Sequence, residues 1–115
     1  QEWRERSAKI CALLSQAVSK YPTSFGVWAT MIQGLTYSIP EIVIIGNDVE
    51  QVRREFLRSF VPLRIFQSSA HENPEFPLLA RKPYSPFTQL FLCKNYACHP
   101  PVGTVNDLIR LMITV

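Results

Sequence analysis

Residues 42–46 read Ile-Val-Ile-Ile-Gly, a short β-branched run with no polar residue between its apolar ones. Strands that are buried on both faces, such as the inner strands of a parallel sheet, show this pattern. The following Asn47 and Asp48 are typical of a tight turn that caps a helix. This stretch predicts a central strand in an α/β fold, with a helix directly after it.

The residues after this turn predict a strand–helix–strand unit. Val49, Val52 and Phe56 recur at helical spacing, and Pro62 ends the helix before a second predicted strand at residues 63–67. Two strands joined by a helix normally run parallel, through a right-handed crossover. The expected sheet is therefore mainly parallel.

The rest of the downstream sequence adds a third strand and a last helix. Residues 68–87 are rich in proline and glutamate and predict a long irregular connection, and residues 88–93 predict the third strand. Thr104 followed by Asp107 resembles a capping box at the start of the last helix. The predicted α/β fold is a small three-stranded, mainly parallel sheet flanked by helices, at residues 41–115.

Upstream of the sheet, residues 1–38 predict an N-terminal α-helical hairpin. Ile10, Leu13 and Val18 fall on one face of a helix over residues 3–20, which Tyr21-Pro22 stops. A second apolar helix follows after only a short turn, so the two helices are expected to lie antiparallel.

Composition restricts the classes of partner. The 115 residues are 47% hydrophobic and 18% charged, as in a globular protein, and no apolar run approaches the length of a membrane helix. The net charge of +3 is scattered apart from Arg53, Arg54 and Arg58, which we interpret as a solvated helix face. We expect neither nucleic acid nor membrane as a partner.

The cysteine count bears on the cellular compartment of the protein, and the first residues bear on whether the chain is part of a longer one. Three cysteines is an odd number, which favours free thiols in a cytoplasmic protein over a disulfide framework. The chain begins at Gln1 without an initiator methionine, which suggests a piece of a longer protein. The aromatic residues Trp3, Tyr84, Phe87 and Tyr96 are expected to be exposed and to pack on a further domain.

Chemistry is suggested only by Cys93 and Cys98, in a C-x4-C-x2-P frame. The pair can form a redox couple, a structural disulfide, or half of a metal site with His99. An extended chain from 93 to 98 would separate the Cα atoms by about 16 Å, whereas a disulfide needs less than about 7 Å. A bond requires a turn between them, which Asn95 permits. We predict unbonded thiols, with Cys93 buried and Cys98 exposed, and no zinc, because two thiols and one imidazole leave a zinc site incomplete.

A nucleotide-binding, Rossmann-like domain is a further alternative, based on the turn at residues 46–48. A glycine turn between a strand and a helix N-terminus can bind phosphate. The fingerprint G-x-G-x-x-G is absent, however, and Asp48 would repel an anion. We predict a tight turn in which Gly46 has a positive φ or allows close approach of the helix, with no cofactor and no catalytic residue.

Three segments resemble one known family: Tyr21-Pro22 with the second helix, the stretch Glu41-Ile-Val-Ile-Ile-Gly46, and the stretch Phe91-Leu-Cys-Lys-Asn-Tyr-Ala-Cys-His-Pro-Pro-Val102. The chain resembles the C-terminal region of the spermatogenesis-associated thioredoxin-like proteins. Members combine a thioredoxin-like domain, an α/α toroid like those of six-hairpin glycosidases and sugar epimerases, and a small α/β end piece.

The resemblance implies a place for each part of the chain. Residues 1–38 would be the last hairpin of the toroid, and residues 41–115 the end piece. The family's redox C-x-x-C and the toroid pocket would lie upstream, in a thioredoxin-like or sugar-processing enzyme. Only Cys93 and Cys98 map onto a family motif. The implied function is a non-catalytic C-terminal accessory domain whose partners are the upstream domains, with self-association of the isolated chain.

Overall fold

The computed structural model describes residues 1–95 and 97–115. The elements are α1 (Glu2–Lys20), α2 (Gly26–Tyr37), β1 (Glu41–Ile45), α3 (Val49–Leu57), β2 (Ile65–Ser69), β3 (Gln89–Lys94), β4 (Ala97–Cys98) and α4 (Val105–Thr114). The chain divides into two compact units, a hairpin unit at Gln1–Ile39 and an α/β unit at Pro40–Val115.

The α/β unit contains a mixed sheet with the strand order β2-β1-β3-β4. The predicted α/β class and the central position of the 42–45 strand are confirmed. The prediction of three mainly parallel strands is wrong in its details. The part of the chain described here has four strands, of which β1 and β2 pair parallel, whereas β1–β3 and β3–β4 pair antiparallel.

The direction of β3 follows from the connection that precedes it. A parallel neighbour needs a crossover, usually a helix, to return the chain to the same end of the sheet. Helix α3 supplies that crossover between β1 and β2. Residues 70–88 form turns and bends without a helix or strand. The chain therefore enters β3 at the end of the sheet where β1 and β2 finish, and β3 runs antiparallel to β1.

The main core lies on the first face of the sheet, which carries Ile42, Ile44, Leu90 and Leu92. These side chains pack against α3 and α4 through Phe56, Val105 and Leu108. Helix α4 starts at the predicted cap, because the Thr104 hydroxyl accepts a hydrogen bond from the Asp107 N–H at 3.1 Å. The predicted core positions Val49, Val52 and Phe56 of α3 are confirmed, whereas Leu57 and Phe60, expected on the same face of the helix, are 48% and 91% exposed.

The second face of the sheet carries Glu41, Val43, Ile45, Phe91 and Cys93. Val43, Ile45 and Cys93 are at most 1% exposed. Residues 70–88 contribute to this side, because the Lys82 ammonium lies 5.0 Å from the centroid of the Phe91 ring. The candidate chemistry of the chain lies on this face.

The buried face of α1 matches the predicted one only in part. Val18, which the prediction placed on the apolar face, is buried together with Cys11, whereas Leu13 is 85% exposed and Ile10 is also exposed. A shallow groove between the helices is lined by small and apolar side chains, namely Ala8, Cys11, Ala12, Ser15, Ile32, Leu35 and Thr36.

Among the described residues, no helix combines the length and the apolar character that crossing a membrane requires.

Candidate functional site: a disulfide across the last β-hairpin

The last two strands form a tight hairpin in which Lys94 pairs with Ala97 and Cys93 pairs with Cys98. Asn95 has a φ of 51°, in the left-handed region that asparagine adopts more readily than most residues. The chain therefore reverses direction after β3, at Asn95. The reversal brings the Cα atoms of the two cysteines to 3.9 Å.

Cys93 and Cys98 form a disulfide, with their Sγ atoms 2.02 Å apart. The prediction of unbonded thiols is wrong. The prediction left the turn at Asn95 open as an alternative to an extended path, and in the structure this turn folds β4 back onto β3. Antiparallel neighbours directly opposite each other project side chains to the same face, which places the two sulfurs together.

The two halves of the disulfide differ in their access to solvent. Cys93 is 0% exposed, and Cys98 is exposed. This asymmetry confirms the predictions that Cys93 is buried and that Cys98 is exposed. Cys98 is therefore the half of the bond that faces solution, while the sulfur of Cys93 is enclosed by the sheet and its covering residues.

A lysine lies beside the exposed sulfur. The Lys82 Nζ is 3.8 Å from the Cys98 Sγ, and burial lowers the pKa of the Lys82 ammonium. An ammonium next to a cysteine favours the thiolate, which is the form that reacts. Once the disulfide opens, a Cys98 thiolate would lie beside the Lys82 ammonium.

Sequence reasoning did not find Lys82. It lies 16 residues before Cys98, inside a proline-rich segment that was predicted to be irregular, and no local pattern connects the two. Only the fold of residues 70–88 over the second face brings them together.

His99 does not complete a metal site with the cysteines. Both sulfurs are used by the disulfide, and the His99 N–H continues the strand ladder by donating to the Leu92 carbonyl at 2.9 Å. Side chains alternate along an extended chain, so His99 projects to the face opposite Cys98. Within residues 1–95 and 97–115, no group of three or more His, Cys, Asp or Glu side chains is arranged to hold a metal ion.

The turn at residues 46–48 is closed by the segment before β3. Gly46 has a φ of 141°, which confirms the predicted positive φ. The predicted side-chain cap from Asn47 or Asp48 is absent. Instead, Thr88 Oγ1 accepts the Asp48 N–H at 3.0 Å, and Asn47 bonds to Pro86 and Tyr84.

This arrangement disfavours a nucleotide phosphate at the start of α3. Phosphate binding at a helix N-terminus depends on free backbone N–H groups, and the N–H of Asp48 is already used. The Asp48 carboxylate at the same place adds charge repulsion.

The arginines of α3 lie among carboxylates. Arg53 forms an ion pair with Glu50 at 2.6 Å. Arg54 and Arg58 share their surface with Glu50 and Glu55. A surface of mixed charge differs from the dense basic patch expected of a nucleic-acid-binding face.

Comparison with protein-family models, curated proteins and solved structures found no match to this chain. The candidate function is therefore inferred from the chemistry of the Cys93–Cys98 hairpin.

Proposed function

We propose that the α/β unit is a thiol–disulfide exchange module whose Cys93–Cys98 bond opens and closes during function. The observation that carries the proposal is the asymmetry of the bond: Cys98 is an exposed residue whose Sγ lies 3.8 Å from the Lys82 Nζ, and Cys93 is fully buried. Exposed disulfides tend to be the labile, regulatory or catalytic ones.

The asymmetry assigns a role to each cysteine. In the reduced protein, a Cys98 thiolate attacks a disulfide R–S–S–R, forms the mixed disulfide Cys98–S–S–R and releases R–S⁻, which takes up a proton. The Cys93 sulfur then attacks Sγ of Cys98, the Cys93–Cys98 bond forms, and the second R–S⁻ leaves. One protein dithiol is oxidised to a disulfide while R–S–S–R is reduced to two thiols.

The proposed cellular location favours a disulfide that takes part in exchange over a purely structural one. We propose a cytoplasmic location, as the odd number of cysteines indicates. Disulfides in the cytosol of mesophilic cells are usually transient and either catalytic or redox-sensing. The unit would then report or transmit the thiol balance of its surroundings.

The proposal predicts reversible redox equilibration of the folded chain. The 115-residue chain is incubated in mixtures of reduced and oxidised glutathione, quenched in acid and alkylated, and the masses are measured. The fraction with the Cys93–Cys98 bond is expected to follow the glutathione ratio, with Cys98 as the site of the mixed disulfide. A folded chain that stays oxidised in excess reduced glutathione would show that the bond is structural.

Lys82 provides a matched probe of the same chemistry. Lys82→Met removes the ammonium beside Cys98 and is expected to slow mixed-disulfide formation by up to about tenfold, because rates depend on the thiolate fraction. Lys94→Met is the control, since Lys94 belongs to the same hairpin but its Nζ bonds to the carbonyl of Val115. Equal rates in the two variants would remove Lys82 from the mechanism.

The hairpin unit favours a second proposal: it is an accessory part of a larger, multidomain thioredoxin-like protein that contains an α/α toroid. Its helices expose large apolar side chains, including Trp3 at 75%, Leu13 at 85%, Val27 at 77% and Tyr37 at 75%. Exposed apolar surface that is contiguous marks an interaction site. Further helical hairpins of the same polypeptide would cover it, as the family resemblance implies.

The α/β unit adds aromatic side chains of the same kind. Phe87 is 78% exposed and Tyr84 is 54% exposed, as the sequence predicted for an interface with another domain. The corresponding prediction for Tyr96 lies outside the described residues.

The second proposal predicts self-association of this chain alone. Sedimentation at micromolar concentration is expected to show dimers or larger species and binding of a hydrophobic dye. Leu13→Lys should weaken both effects, while Lys9→Ala on the same helix should not. A monomer that binds no dye would count against a missing helical partner.

A further inference from the structure

Glu41 lies in one row with the disulfide. In the sheet, Glu41 of β1 pairs with Cys93 of β3, and Cys93 pairs with Cys98 of β4, both in antiparallel register. Residues directly opposite each other in antiparallel strands share a face, with Cβ atoms about 4.5–5.5 Å apart. The Glu41 side chain is therefore the direct neighbour of the Cys93 side chain on this face of the sheet.

One oxygen of this carboxylate is buried without a partner. Glu41 Oε2 accepts no hydrogen bond, and the same is true of Gln67 Oε1. Burying a carboxylate oxygen away from any donor costs free energy unless the group carries a proton. A buried polar group without a partner calls for an explanation, and a catalytic role is one of them.

Gln67 lies close enough to take part. It is two residues beyond Ile65, the parallel partner of Glu41, and so lies on the same face of the next strand. Strand spacing and rise place the two Cα atoms about 8 Å apart, within reach of two long side chains. The two orphan oxygens therefore belong to side chains of adjacent strands on the same face of the sheet.

The buried sulfur needs such a proton acceptor. Cys93 attacks as a thiolate, so its S–H bond must break before the bond to Cys98 forms. Cys93 is 0% exposed, which leaves bulk water without access to its proton. The contact that the structure shows for the Lys82 ammonium is with the sulfur of Cys98.

We propose that Glu41 is the proton acceptor and donor for Cys93 in thiol–disulfide exchange. The inference rests on the proposed exchange function. In the oxidative direction with oxidised glutathione, the Cys93 proton passes to the Glu41 carboxylate as the Cys93 sulfur attacks Sγ of Cys98. The bond between Cys98 and glutathione breaks, and the glutathione thiolate leaves with the electron pair and takes a proton from water. Reduction reverses these steps and returns the proton to Cys93.

The test separates the two chemical steps. Reduced Glu41→Gln is mixed with oxidised glutathione, quenched over time and analysed by mass. Formation of the mixed disulfide at Cys98 is expected at the wild-type rate, because Glu41 does not serve that step. Its resolution by Cys93 is expected to slow by about 100-fold, within the range for loss of an acid–base group, so the mixed disulfide accumulates.

Two further variants distinguish chemistry from structure. Glu50→Gln removes an exposed carboxylate on α3 and should behave as the wild type. Glu41→Asp retains a carboxylate and should recover part of the resolution rate. Because Glu41→Gln keeps the size and shape of a partly buried side chain, its unfolding temperature should stay close to that of the wild type.

Each outcome bears on a different claim. Wild-type resolution in folded Glu41→Gln overturns the role of Glu41 and leaves the exchange module intact. A lower unfolding temperature with both steps slowed equally shows a structural role and overturns the inference. If Glu41→Gln does not fold, Glu41→Asp decides: resolution at the wild-type rate with a lowered unfolding temperature contradicts the inference, and selectively slowed resolution supports it. A wild-type chain that never exchanges with glutathione overturns both proposals.

Discussion

Replacing Gly46 by valine is expected to destabilise the α/β unit by about 2–6 kcal/mol, from backbone strain and overpacking of about 1–3 kcal/mol each. The φ of 141° is one that side-chain-bearing residues rarely adopt. A Cβ there would also lie 2.5 Å from the Cα and 2.9 Å from the N of Thr88. Backbone atoms cannot rotate away as a flexible side chain can, so either β1 or the segment before β3 must move.

Gly103→Ala is the control for this experiment. No atom lies within 4 Å of the position its Cβ would take, so the change should stay within about 0.5 kcal/mol. Trp3 and Trp28 both belong to the hairpin unit, so their fluorescence does not follow the α/β unit. Amide hydrogen exchange of β1, measured during denaturant titration, does follow the unfolding of the α/β unit. An unchanged midpoint for Gly46→Val would contradict the close approach of Thr88.

Serine substitutions of the two bonded cysteines are expected to have opposite chemical effects. Cys98→Ser should lose all exchange with glutathione, because the remaining Cys93 thiol is buried. Cys93→Ser should bind one glutathione per chain and keep it, because no second thiol resolves the mixed disulfide. Intact mass after incubation with oxidised glutathione separates the two results.

The stability of these variants provides an internal control. The disulfide closes a loop of only six residues, so chain entropy assigns it about 2 kcal/mol, and each variant should lose the same amount. An equal loss of stability cannot explain opposite reactivity. Cys11→Ala should leave the exchange unchanged, since Cys11 is a free buried thiol in the hairpin unit. Rapid reaction of Cys98→Ser with glutathione would show that the Cys93 sulfur is accessible.

The two proposals are compatible within one protein. An exchange module at the end of a multidomain chain would act on, or respond to, thiols carried elsewhere in the same polypeptide. The thioredoxin-like domain implied by the family resemblance would be such a source. The prediction then is that the reduced state of Cys98 is reached by intramolecular exchange, with free glutathione acting as a surrogate.

Several features could be derived from the sequence because their causes lie within a few residues. The unbroken apolar run 42–45 predicts a strand with two buried faces, and this strand is central in the sheet. Gly46 is needed because the backbone must adopt a positive φ immediately after that strand. Thr104 and Asp107 satisfy each other across one helical turn, so the start of α4 was also predictable. The burial of Cys93 follows from the apolar strand that leads to it.

The tertiary structure alone decided the direction of β3, the presence of β4 and the composition of the candidate site. Lys82, Glu41 and Cys93 come from three separate segments, and no periodicity connects residues so far apart in the chain. The Cys93–Cys98 bond depended on a choice between an extended path and a reversal at Asn95, which local propensity leaves open. Pairing with β1 places β3 in the sheet, and the hairpin then brings Cys98 back beside Cys93. Contacts between distant segments settle such choices, because only in the folded sheet do the competing paths differ in buried apolar area and in satisfied backbone hydrogen bonds.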